Sequence, residues 1–214
     1  MFINHIFATS PELPPMGAHL YEYVVGANGV FVRARRLGLE ALIWVAATAQ
    51  PVRGLAEVEP YVRLHHLVNE PWVNTMLTYA ISAGQNEILF YLSGCDPWQM
   101  SIPEQIAGGA SVRPSDPYAG GADTILEVHS HHHMDCFFSG TDDQDESSGF
   151  RLFAVLGCLD RKPAILTRVG IFGHFWEIPA SWIFEMPEGL EDALYAMPEP
   201  PSDECEKVPD YEYD

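Results

Sequence analysis

Short alternating runs of apolar and polar residues open the chain. Residues 21–25 and 30–34 are two such runs, separated by Gly26, Ala27, Asn28 and Gly29. Alternating runs around an Asn-Gly pair predict a β-hairpin. A third apolar run over 42–47 predicts another strand, and Pro51, Gly54 and Pro60 punctuate the stretch after it. Residues 1–70 therefore read as a β-rich lobe. The period changes near Pro71. Val73, Met76, Leu77, Ala80 and Ile81 recur at helical spacing, Pro71 suits a first helical turn and Gly84 suits its end. The expectation is a helix over 72–83 and then a buried strand over 88–92.

Residues 93–122 are rich in glycine and proline and read as a long irregular connection. Such a connection inside a compact domain is usually functional or disordered. Here it enters just before the segment with the most chemistry, so it is expected to shape a substrate groove. A strand is predicted over 124–131 and a short, polar, acidic helix over 140–148. Two apolar segments, 150–159 and 164–172, flank Asp160, Arg161, Lys162 and Pro163 and predict a strand pair with a turn. The pattern as a whole predicts an α+β fold: a mixed sheet packed against helices over 71–190, with the β-rich lobe before it. No internal repeat is visible.

Composition narrows the function classes. Of 214 residues 47% are apolar, enough to bury a core. Eleven Lys+Arg against thirty Asp+Glu leave a net charge of −19. Nucleic acids and anionic membranes both favour a basic partner, so neither is expected here. Arg33, Arg35 and Arg36 form too small a basic cluster to reverse that reading. Residues 185–214 hold eleven acids and one base, and 191–214 read as a disordered acidic tail that solubilises or binds a partner. Cys95, Cys136, Cys158 and Cys205 are widely spaced and form no CxxC pair. Residues 1–15 have no basic-then-apolar signal pattern, and no uncharged apolar run reaches the length of a membrane span. These features predict a cytoplasmic protein with reduced thiols.

The candidate chemistry lies between residues 127 and 143, where four of the nine histidines occupy five positions. His129 and His131 are two apart at the end of a predicted strand, so both imidazoles leave one face and can converge on one metal ion. Asp142 comes eleven residues after His131. Two histidines and one carboxylate leave a tetrahedral zinc with an open position, the layout of a catalytic site.

This segment resembles the JAB/MPN metallopeptidases, whose JAMM motif is His-x-His, then Ser and Asp at the spacings that His129, His131, Ser139 and Asp142 show here. The resemblance covers roughly residues 70–185. It extends to the helix that leads into Glu87 and the apolar run after it. With its N-terminal lobe, the chain is similar to a bacterial branch of the family, the PRTRC system protein A group. One departure stands out: the family has proline directly after the second histidine, and this chain has His132, then His133. His133 shares strand parity with His129 and His131, so a continuing strand makes it a rival ligand.

The resemblance implies zinc held by His129, His131 and Asp142, with Glu87 as general base. It implies hydrolysis of a peptide or isopeptide bond, with a protein or peptide substrate similar to a ubiquitin-like tail or its conjugate. Ser139 combines two roles, helix N-cap and hydroxyl donor to an oxyanion. Asp143 rivals Asp142, one residue out of register. Glu127 rivals Glu87, because it shares a strand face with His129. Cys136 is close enough in sequence to be an additional ligand. His65, His66 and His174 read as ordinary residues. The competing functions are a non-catalytic scaffold of the same fold and a His-rich metal-handling protein.

Overall fold

A computed structural model of the chain describes residues 2–94 and 96–195. It is an α+β structure of two larger sheets and a two-stranded one. The first sheet holds β1 (Ile3–Phe7), β2 (Tyr21–Gly26), β3 (Gly29–Arg36), β4 (Leu39–Ala47) and β5 (Tyr61–Leu64), ordered in sequence, with β1 parallel to β2 and the rest antiparallel. The predicted hairpin is β2–β3, with Gly26 opposite Gly29. Ala27 and Asn28 form its turn, so Gly29 belongs to the strand. A Cβ at Gly29 would sit 2.4 Å from the Ala46 carbonyl oxygen and 2.8 Å from the Trp44 ring, which requires glycine.

The helix α1 (Glu70–Ser82) begins two residues earlier than the pattern predicts, with Pro71 in its first turn and Gly84 at φ +68° just beyond its end. It buries Val73, Met76 and Ala80, while Ile81 is half exposed. The second sheet is built from β6 (Leu89–Ser93), β7 (Gln99–Ser101), β10 (Thr124–Ser130), β11 (Phe150–Gly157), β12 (Ala164–Ile171) and β13 (His174–Ile178), in the order β13-β12-β11-β10-β6-β7. Between β7 and β10, the strands β8 (Gln105–Ala107) and β9 (Val112–Pro114) form a separate hairpin. The helix α2 (Gly140–Asp145) lies on the connection between the parallel neighbours β10 and β11. Among the described residues no helix is long and apolar enough to cross a membrane.

Both sheets contribute to one core. Val32, Ala34, Ala41 and Ile43 of the first sheet join Val73 and Met76 of α1 and Phe90, Leu126, Leu152 and Val169 of the second. The middle of β3 and of β4 is buried on both faces. Alternate residues Phe31 and Leu42 point into a smaller cluster with Val24 and Val58. Arg33 is buried beside Glu22, its Nε 2.7 Å from the carboxylate. The β-rich lobe is thus fused to the second sheet through apolar surface, and burial of such surface is the dominant stabilising term. One arginine adds polar ties at the seam, and another holds the segment before β10. Arg36 donates to the carbonyls of Thr124 and Phe150 at 2.9 and 3.0 Å, and also to Ala122. Arg151 donates to the carbonyls of Gly120 and Gly121.

Two expectations change. The segment 93–122 is not irregular throughout: it carries β7, β8 and β9, each three residues long. Strands this short show no period, and the glycines and prolines between them mark turns. Trp98 anchors the segment, buried and donating from Nε1 to the carbonyl oxygens of His66 and Leu67. The start of the acidic tail also belongs to the fold. Glu191–Asp192 forms β14, pairing in parallel with Ala164 and Ile165 of β12, and the Asp192 carboxylate accepts from the Ala180 amide at 2.7 Å. The remainder of the predicted tail, 196–214, lies outside the described residues, as do Cys95 and Cys205.

Candidate metal centre

The strand β10 is paired on both sides, antiparallel to β6 and parallel to β11. Glu127 and His129 lie on one of its faces, and Ser130 on the other is fully buried, its hydroxyl accepting from the Ile88 amide at 3.1 Å. The strand ends one residue earlier than predicted. The His131 amide still donates to the Leu156 carbonyl at 2.7 Å, which holds His131 in line with His129. The chain then turns at His132, whose φ is +52°.

That turn resolves the rivalry over the third histidine. Once the strand ends, parity no longer applies. His133 points to the surface, where its Nδ1 lies 3.0 Å from Asp160 Oδ2. It also explains the departure at His132: proline locks φ near −65° and could not adopt this backbone. His132 is buried, and its Nδ1 has no partner.

Asp142 is carried on α2. Ser139 is the N-cap, and a reciprocal capping box joins the two. The Asp142 amide donates to Ser139 Oγ at 3.2 Å, and the Ser139 amide donates to Asp142 Oδ2 at 2.6 Å. This leaves Asp142 Oδ1 facing His129 Nε2 at 3.8 Å. The two imidazole Nε2 atoms are 3.2 Å apart. One donor atom from each of His129, His131 and Asp142 lies within 4.8 Å of the others, a group that could hold a metal ion. Metal–nitrogen bonds of about 2.0–2.1 Å in tetrahedral geometry place neighbouring donors about 3.3 Å apart, close to the separations seen. The His131 Nδ1 lies 3.2 Å from the Asp135 carbonyl oxygen, so the proton belongs on Nδ1 and Nε2 stays free for an ion.

Electrostatics fit the same chemistry. Burial pulls His129 down to about 4 despite the opposing pull of the Asp142 charge. His131 is also lowered, mainly by burial. Both rings are therefore neutral at pH 7, as a metal ligand must be.

Glu87 sits just before β6, nearly buried, its amide donating to the Gly108 carbonyl at 2.8 Å. Its Oε1 is buried without a hydrogen-bond partner. Burial pushes its carboxyl up to about 7, and the Asp142 charge adds to the shift. Glu87, His129, His131, Ser139 and Asp142 all line one cavity of about 1100 Å³. The β8–β9 hairpin walls the same cavity through Ile106, Val112 and Arg113, so the predicted groove-forming segment does border the site.

The rivals separate by partner. Glu127 also lines the cavity, but its Oε2 is 3.6 Å from Arg151, and burial raises its carboxyl to about 7 against that charge. Asp143 is bound to Arg168 at 2.6 Å and is not in the metal-holding group. Cys136 is not in that group either; burial pushes its thiol up to about 12. His66 and His174 lie elsewhere: His66 is 3.6 Å from Asp96, and His174 Nε2 is 2.9 Å from the Tyr23 hydroxyl across the seam between the sheets.

Arg151 and Arg168 are the residues that sequence reasoning passed over. Each is a lone cation inside an otherwise apolar strand, and that isolation was the signal available. No family model matches this chain, and no curated protein matches it.

Proposed function

We propose that the chain is a zinc-dependent hydrolase of an amide bond, of the kind its JAMM-like spacing resembles. The observation that carries this reading is one cavity in which His129, His131 and Asp142 converge while the buried, unpartnered Glu87 carboxylate shares the space. His129, His131 and Asp142 would hold the ion. When bound, zinc acidifies water and polarises a carbonyl, which makes hydrolysis feasible at neutral pH.

The chain's own groups supply the remaining steps. Glu87 Oε1 accepts a proton from a water in the cavity and returns it to the departing amine. Ser139 Oγ already accepts from the Asp142 amide, and its hydrogen remains free to donate to the oxygen that becomes negative in the transition state. The substrate class proposed is a peptide or an isopeptide, with a ubiquitin-like tail as the form the family resemblance favours.

The test is zinc content and hydrolysis measured on one preparation, against a panel of peptide and isopeptide substrates. One zinc per chain, lost in Asp142→Asn, with turnover lost in Glu87→Gln, supports the enzyme. One zinc without turnover on any substrate supports a metal-holding scaffold instead. Several weakly bound ions indifferent to Asp142→Asn would indicate a metal-handling protein.

A further inference from the structure

The third ligand sits on a helix with little to hold it. The helix α2 has six residues, and none is buried. A helix this short is not stable in isolation, and most helical stability in proteins comes from packing an apolar face. This one has no such face. The capping box ties Asp142 to Ser139, but both belong to the same segment, so it cannot hold either residue near His129.

Arg168 can. It stands on β12, opposite Phe153 of β11 in the ladder, and Phe153 in turn stands opposite Glu127 on the metal strand. Its side chain is buried. Nε and Nη2 donate to Glu146 Oε2 at 2.9 and 2.6 Å, and Nη1 donates to Asp143 Oδ1 at 2.6 Å. The guanidinium carbon lies 3.9 Å from the Phe138 ring centre and 4.0 Å from that of Phe175. Phe138 directly precedes the N-cap, Asp143 is next after the ligand, and Glu146 is the C-cap. One planar cation therefore grips the segment before Ser139 and after Asp142, and fixes both to the sheet that carries the histidines.

We propose that Arg168 is the positioning residue of the metal centre, holding Asp142 at ligand distance from His129 through Phe138, Asp143 and Glu146. This rests on the proposed metal-holding role of His129, His131 and Asp142. It predicts that the planar fork matters as well as the charge, because an ammonium can neither span two carboxylates in one plane nor stack between two rings.

The experiment is titration of metal-free full chain with Zn²⁺, and with Co²⁺ for its absorption spectrum. Arg168→Lys, Asp143→Asn and Asp142→Asn are compared with the unaltered protein, and thermal unfolding is recorded alongside. Losing a group that orients a ligand typically costs 10–100-fold in metal affinity. Arg168→Lys is expected to weaken zinc by roughly that factor and to reduce the intensity of the tetrahedral cobalt bands. Asp143→Asn, which changes an exposed carboxylate, should weaken zinc several-fold.

A lowered melting temperature with unchanged zinc affinity and cobalt spectrum overturns the proposal, since a purely structural arginine predicts that outcome. If Arg168→Lys does not fold, Asp143→Asn decides, and affinity within twofold of the unaltered chain overturns the assignment. An unaltered chain that takes up no zinc overturns the metal centre itself and this proposal with it.

Discussion

The two halves of the candidate metal centre are built differently. His129 and His131 project from a strand paired on both sides, and the ladder continues through the His131 amide. Asp142 projects from six residues of helix held by a local cap and a buried cation. The histidines' relative position comes from strand geometry. The aspartate's position depends on contacts made by residues distant in sequence. The strand half is therefore rigid by construction, and the helix half is where the site can be loosened or tuned.

Breaking the strand half should have the largest effect. His129→Ala is expected to abolish zinc binding and turnover together, read by metal analysis and by substrate cleavage. Retained stoichiometric zinc would remove His129 from the ligand set.

Next comes Glu87, the proposed proton carrier, which belongs to neither half. Glu87→Gln should keep zinc and lose about 10²–10⁴-fold in kcat. If turnover survives that change, Glu127→Gln becomes the informative variant.

Within the helix half, Ser139→Ala removes both a cap and a donor. It should destabilise the protein by about 1 kcal/mol and slow turnover by about 10²-fold. Ser139→Asp keeps a capping oxygen but has no O–H. It should recover much of the stability in a urea melt and little of the rate. Recovery of both would reduce Ser139 to a cap.

The smallest effect is a pH dependence of the metal-free protein. Glu87 has a folded value of about 7 against an ordinary 4.5, so the folded state keeps a proton that the unfolded chain has already released. Stability should then fall as pH rises from about 4.5 to about 7. Glu87→Gln should flatten that slope and raise the melting temperature at pH 8 by a few degrees. Zinc is left out of this measurement because a nearby divalent cation would pull the carboxyl back down. A steeper slope in the variant would contradict the burial argument.

Much of the architecture was legible in the chain because its signals are local. The Asn-Gly hairpin, the helix after Pro71, the metal strand and the strand pair around Asp160 each carry their period within about ten residues. The short strands of 93–122 were hidden because three residues contain no period, and β14 because it is two acidic residues whose partner lies on β12, more than twenty residues upstream. At the site, strand parity placed His129 and His131 together, and the Ser139–Asp142 interval announced a capping box. Parity misled at His133, because the strand ends where His132 takes a positive φ.

What spacing along the chain could specify, then, was which side chains are chemically suited to share an ion and which short motifs present them. Their convergence needed the folded molecule. A carboxylate eleven residues from a histidine meets it only if something distant pulls the intervening segment back, and the guanidinium of Arg168 lies in the right place because the β11–β12 ladder puts it there. Local sequence sets conformation through neighbouring backbone and side-chain sterics. Distance between remote groups is set by the packing of the whole sheet, which no single window of residues contains.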